Sequence, residues 1–172
     1  MRVNDLHLKD SLKRGIEQLA KRGYLEVAED GLLLCAKEST KISVEKTADS
    51  VTICYDTEPH FYMALIRSME MKEGIWPIGR KAKRLGLMHD CSRNAVPTTA
   101  MVKDLICVLV MCGYDYLELY TEETYELPDE PYFGYKRGRY STEELKEIVA
   151  FADTITKLPD DSTTDGKVTD AG

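Results

Sequence analysis

Arg93 and the carboxylates Asp90, Glu122 and Glu123 are the residues whose types and spacing best suit chemistry. A guanidinium holds out several N–H donors in a rigid fork and ionised carboxylates accept, so the set complements vicinal hydroxyls, which do both. That chemistry is sugar recognition, with Arg93, Glu122 and Asp90 as the candidate binding residues. The same groups also fit an internal ion pair tying two neighbouring strands together, and spacing alone leaves both readings open. The aromatic residues Tyr120, Tyr125, Tyr132, Phe133, Tyr135 and Tyr140 suit either stacking on a sugar ring or packing against their own domain. His89, inside an apolar run, reads as a core histidine rather than a base. No glycine-rich phosphate loop accompanies these residues, which argues against a nucleotide site.

Two strand-helix units between Gly86 and Phe151 must position this set. Leu85 to Met88 reads as a short strand, and Pro97 then opens a helix carrying Val102, Leu105, Ile106, Leu109 and Met111, which Gly113 ends. Tyr116 to Tyr120 is the next strand, with Glu118 expected on the face opposite Leu117 and Leu119. Ser141 and Glu144 form a capping box ahead of a last helix that buries Leu145, Ile148, Val149 and Ala152. Strand, helix and strand joined by short connections predict parallel pairing, as in doubly wound sheets and (β/α)8 barrels. Ligands bind at the carboxyl ends of such strands, which puts Cys91 to Asn94 and Thr121 to Glu123 on one rim.

The preceding sequence predicts a small α+β module over residues 1–78. Leu12, Ile16, Leu19 and Ala20 mark a helix between Lys9 and Arg22 that Gly23 stops. Apolar runs at Leu32–Ala36, Ile42 with Val44, and Val51 with Ile53 and Tyr55 predict an antiparallel sheet with a hairpin, covered by a helix from Glu58 to Met71. Ile75 to Gly79 reads as a connector, and the basic cluster Arg80, Lys81, Lys83 and Arg84 as a solvated surface. Residues 79–157 would hold the two strand-helix units, and residues 158–172, without any apolar period, a disordered tail.

Charge and composition narrow the classes. The formal charge of −7, concentrated in Glu118–Glu130 and after Leu158, leaves no long basic face for nucleic acid. Hydrophobic residues at 43% are enough for a folded core. The five cysteines lack zinc-ligand spacing and read as buried thiols, so no metal is expected. With no apolar leader and no run of about 18 apolar residues, a cytoplasmic protein without membrane partners is expected.

At Gly86-Leu87-Met88-His89-Asp90-Cys91-Ser92-Arg93-Asn94-Ala95-Val96 the sequence resembles the opening of the catalytic barrel of glycoside hydrolase family 20, the β-N-acetylhexosaminidases. The resemblance continues through Gly113-Tyr114, Leu119-Tyr120-Thr121-Glu122, Tyr132-Phe133-Gly134-Tyr135, Arg137-Gly138-Arg139-Tyr140 and the helix from Glu143 to Phe151. It implies an α/β protein: a small α+β domain followed by the first two β/α units of a TIM-type (β/α)8 barrel. By position, Arg93 matches the first-strand arginine that holds hydroxyls of the non-reducing sugar, and Glu122 an acidic position ending the second strand. Many members have Asp at the place of Glu122, and the similar branch has Leu at the place of His89.

The resemblance further implies hydrolysis of terminal β-linked N-acetylglucosamine or N-acetylgalactosamine with retention, without a cofactor, using the substrate's 2-acetamido group as nucleophile. An Asp-Glu pair on the fourth barrel strand supplies the acid and base in that family. Asp129-Glu130, in the loop after the second strand and without a preceding glycine, does not match it. The expectation is therefore the amino-terminal portion of an exo-β-N-acetylhexosaminidase, with no catalytic residues of its own and inactive alone. Two strands of a barrel would also expose an open edge that invites self-association. The alternatives are a non-catalytic remnant that binds sugar or a protein partner, and a complete small α/β domain.

Overall fold

The computed structural model describes residues 1–80, 82–93 and 95–155. β1 (Arg2–Asn4) leads to α1 (Asp10–Lys21), whose Leu12, Ile16 and Leu19 are buried on one face. Gly23, at φ 77, lets the chain leave that helix: its N–H donates to Ala20 O and that of Tyr24 to Leu19 O, closing a Schellman motif. β2 (Glu26–Val27), β3 (Leu32–Glu38), β4 (Ser43–Lys46) and β5 (Ser50–Tyr55) follow, then α2 (Glu58–Ser68) and β6 (Gly74–Pro77). Val51, Ile53 and Tyr55 of β5 all point into the core, as their alternation requires.

The six strands form one mixed sheet in the order β2-β1-β3-β5-β4-β6. This corrects the antiparallel expectation. β4 and β5 do make the expected hairpin, turned at Thr47–Ser50, but β3 pairs in parallel with β5, and β1 in parallel with β2 and β3. Side-chain alternation has the same period in both pairings, so it reports which residues face the core and not which strand lies alongside. The supposed connector is likewise partly a strand: Gly74–Pro77 pairs antiparallel with β4, where Pro77 is tolerated at a sheet edge.

β7 (Gly86–Asp90), α3 (Thr99–Met111), β8 (Tyr116–Tyr120) and α4 (Thr142–Ile155) complete the fold. β7 and β8 form a separate two-stranded parallel sheet, in register from Gly86 opposite Tyr116 to Asp90 opposite Tyr120. Thr98 caps α3 by accepting from the Met101 amide. Ser141 and Glu144 exchange the two capping-box hydrogen bonds at α4, 3.1 and 2.8 Å long. One cluster of buried apolar side chains runs from the six-stranded sheet through α1 and α2 to α3 and α4. The expected tail, residues 158–172, and Lys81 lie outside the described residues.

Polar side chains also tie the two sheets' elements together. His60, 1% exposed on α2, bonds through Nδ1 to Asp56, and its Nε2 lies 3.2 Å from Asp115 Oδ1 without hydrogen-bond alignment. Asp115, just before β8, also accepts from Arg80 Nη2 and the Leu85 amide, both at 2.8 Å. Arg80 is thus an ion-pair partner in the packed structure, not the solvated charge expected, because a buried carboxylate needs a cation and donors. Among the histidines it is His60 that occupies the core. His89 is only half-buried, since β7 is covered on one face alone. Of the five free cysteines Cys91 and Cys107 are buried as expected, while Cys112 is exposed at the end of α3. Burial pushes the Cys107 thiol up to about 11, which makes it inert at neutral pH.

Candidate functional site

The carboxyl ends of β7 and β8 meet because the parallel register sets Asp90 beside Tyr120, and the Cys91 amide adds one more bond to Tyr120 O. Asp90 then turns the chain: its Oδ1 accepts from the Ser92 amide at 2.8 Å and the Ser92 hydroxyl at 2.6 Å. Those two bonds, with Arg93 adding a smaller contribution, hold the Asp90 carboxyl below its usual range. Arg93 follows with its side chain 78% exposed and its Nε 3.9 Å from Asp90 Oδ2. Its donors are therefore presented outward, beside an ionised carboxylate.

Glu122 sits two residues beyond β8 in the left-handed region, at φ 47, a conformation that costs a non-glycine residue about 1–3 kcal/mol. The Tyr120 hydroxyl donates to Glu122 Oε1 at 2.9 Å, and that carboxylate raises the phenol's pKa. Arg93 and Asp90 act electrostatically on the same phenol, so Tyr120 is the point where the three charged groups converge.

Arg93 does not tie the strands together, as the ion-pair alternative required. Arg137 does: its Nη1 donates to Glu123 Oε1 at 2.9 Å and its Nη2 to the Ser92 carbonyl, clamping the turn after β7 to the turn after β8. Arg137 reaches them from a loop that also rests Gly134 on the Glu123 carbonyl. At φ 63, and with that oxygen in the way of any Cβ, Gly134 is the residue the turn requires. Tyr140, buried in the same loop, donates to Pro97 O at 2.6 Å ahead of α3. Sequence reasoning singled out Arg93, Asp90 and Glu122 but not the roles of Arg137 and Tyr120. Arg137 stands forty-four residues from Arg93 in the chain, and no local spacing marks the pair.

Among the described residues no group of histidine, cysteine, aspartate and glutamate side chains could hold a metal ion. Asp129 and Glu130 are both exposed in a turn, with Asp129 at φ 69. An open cavity of about 640 Å³ lies elsewhere, at Arg2, Asp30, Lys46 and Asp49. Its cations are occupied: Arg2 pairs with Glu26 and Asp30, and Lys46 donates to the Ser68 and Met71 carbonyls. The arrangement at the rim is the one able to grip a polar ligand.

No family model matches the sequence, and no curated protein does. Solved structures do match. A family 20 exo-β-N-acetylglucosaminidase from Vibrio harveyi, in complex with N-acetylglucosamine, aligns with TM-score 0.66 and 13% identity over 88% of this chain. The Streptomyces plicatus N-acetyl-β-hexosaminidase aligns with TM-score 0.66 and 16% identity over 89%, and the Bacteroides fragilis β-N-acetylhexosaminidase with TM-score 0.57 and 17% identity over 90%. The chain folds as part of a family 20 glycoside hydrolase. It spans 31%, 39% and 37% of those three proteins, respectively. The resemblance read from the Gly86–Val96 motif and the fold point to the same family, and the rim occupies the end of the β7–β8 sheet within that shared fold.

Proposed function

We propose that this chain is the amino-terminal portion of an exo-β-N-acetylhexosaminidase. Residues 1–78 form the domain ahead of the barrel, residues 79–157 supply the first two units of a (β/α)8 barrel, and the rim at β7 and β8 holds the non-reducing sugar. The observation that carries the proposal is Arg93, an outward guanidinium at the end of a parallel strand, flanked by Asp90 with its carboxyl already ionised. Arg93 donates to adjacent hydroxyl oxygens of the sugar, and Asp90 and Glu122 accept from hydroxyl protons. Tyr120 fixes Glu122, and Arg137 fixes the spacing of the two turns.

In the complete enzyme the acetamido oxygen of the substrate attacks the anomeric carbon while an acid protonates the departing oxygen, and water then opens the cyclic intermediate with retention. The chain's consecutive Asp129-Glu130 is exposed in a turn, so the proposed role of this polypeptide alone is binding without hydrolysis. Its five unpaired cysteines suit a reducing compartment, in line with a cytoplasmic protein.

The test pairs N-acetylglucosamine binding, followed by ligand-detected NMR, with hydrolysis of an aryl N-acetyl-β-hexosaminide. Binding that Arg93→Ala weakens at least tenfold, with no turnover, is the expected result. Turnover that disappears in Arg93→Ala would overturn the non-hydrolytic role, and sugar binding indifferent to Arg93 would overturn the site.

A second reading, an interaction module, is favoured by the uncovered face of the β7–β8 sheet. Met88, Tyr116 and Tyr120 there are 61%, 48% and 41% exposed, more apolar surface than a solvated strand pair presents as a rule. Sedimentation of the chain across concentrations distinguishes it: self-association abolished by Met88→Lys supports pairing through this face.

A further inference from the structure

The aromatic residues after β8 divide into two sets. Tyr140 is buried, and Tyr125 and Phe133 are half-buried and meet edge to face at 5.3 Å. Tyr132 and Tyr135 instead are 79% and 63% exposed and contact each other at 6.1 Å, with their ring planes 75° apart. Single exposed aromatics are ordinary, but two in mutual contact on an anchored segment are not accounted for by packing.

The anchoring is specific. Between the tyrosines Arg139 donates to the Phe133 carbonyl, and the Tyr135 amide donates to Tyr132 O at 3.0 Å, which sets the turn. Gly134, between the two rings in sequence, rests on the Glu123 carbonyl, next to Glu122. Arg137, two residues beyond Tyr135, bonds the Ser92 carbonyl, next to Arg93, and the Glu123 carboxylate. The two tyrosines are thus carried on the piece of chain fastened to the immediate neighbours of both sugar-contact candidates.

We propose that Tyr132 and Tyr135 form a second sugar subsite, which takes the pyranose β-linked to the one held by Arg93. This rests on the sugar-binding reading of Arg93 and extends it to a substrate class: β-linked N-acetylhexosamine oligosaccharides. A pyranose in such a linkage presents an apolar C–H face to an aromatic ring while its hydroxyls project at the edges. Two rings near right angles make a corner that contacts such a face and one edge together. Lys136, with Nζ 5.6 Å from the Tyr135 centroid, adds a donor at the margin for those hydroxyls.

The experiment compares N-acetylglucosamine with its β-1,4-linked disaccharide on the full chain, by ligand-detected NMR titration. The native chain is expected to bind the disaccharide roughly three- to tenfold more tightly, the size of one aromatic contact. Tyr132→Ala with Tyr135→Ala, and separately Tyr132→Ala alone, should bring the ratio towards one and leave monosaccharide affinity within about twofold. Arg93→Ala should weaken both sugars. Equal affinities in the native chain, with Arg93 dependence intact, overturn the subsite and leave the Arg93 reading standing, as does a preference that survives the tyrosine changes. Binding insensitive to Arg93→Ala, or absent for both sugars, overturns the Arg93 reading and with it the subsite.

Discussion

α2 and the β7–β8 sheet are neighbours in sequence, yet they are treated very differently by the fold. Nine of the eleven residues of α2 are buried, between the six-stranded sheet and α3, and they include a histidine and a glutamate. No residue of β7 or β8 is buried to that degree. The polar groups of α2 are matched inward, His60 to Asp56 and Asp115, Glu58 to Ser11 and Lys9. Those at the end of β7 and β8 are matched only to their near neighbours and otherwise face outward. The contrast teaches where stability resides and where ligand-binding capacity remains, because a group satisfied inside the core has no valence left for a sugar.

The comparison breaks most directly at its extremes. Phe61→Ala, which empties a position with no exposure, is expected to cost about 3–5 kcal/mol in urea unfolding, whereas Met88→Ala on the outer face of β7 should stay within about 0.5 kcal/mol. Similar losses from the two would remove the distinction. Arg137→Ala should cost about 1.5–3 kcal/mol, and it should also speed amide exchange at Ser92 through Thr124, because one guanidinium holds two acceptors on separate turns. Arg137→Lys should restore little of this, since an ammonium lacks the planar fork. Unchanged exchange in the alanine variant would show that the rim holds itself. Ser141→Ala removes the cap of α4 and should cost about 1 kcal/mol, leaving sugar binding as it was.

The smallest effect concerns acid. Burial opposes ionisation of Asp56, but the His60 hydrogen bond and charge, with two backbone amides, outweigh it and hold the carboxyl below its ordinary range. A depressed folded pKa means stability that is present above the unfolded value of about 3.9 and lost as pH falls through the lower folded value. Asp56→Asn should therefore flatten the acid limb of the melting temperature, measured below about pH 4. Asp90 is held down for a local reason, the Ser92 bonds, so Ser92→Ala should move its titration up towards the ordinary range in an NMR titration without reshaping that limb. An acid limb unchanged in Asp56→Asn would deny the seam its role in stability.

Local patterns were enough for much of the fold. The α1 period with Gly23, the β4–β5 hairpin, the order strand-helix-strand-helix after Gly86 and the Ser141–Glu144 capping box are all encoded within a few residues, and all are present. The parallel pairing of β3 with β5 and the strand at Gly74–Pro77 are not encoded in this way, because partner choice depends on segments distant in sequence. The site follows the same division. Arg93, Asp90 and Glu122 stand out at strand ends, while Arg137 acquires its role only when a loop folds back over both turns.

By itself the sequence determined the elements, their caps and the residue types at the rim, since periodicity and capping operate over one or two turns of chain. Tertiary structure alone decided which strands adjoin, that His60 and not His89 is the core histidine, that Arg137 rather than Arg93 joins the two turns, and that Tyr132 and Tyr135 stay exposed while Tyr140 is buried. The physical reason is common to all four. Burial and charge pairing are settled by groups brought together from distant parts of the chain, and those encounters exist only once the chain has folded.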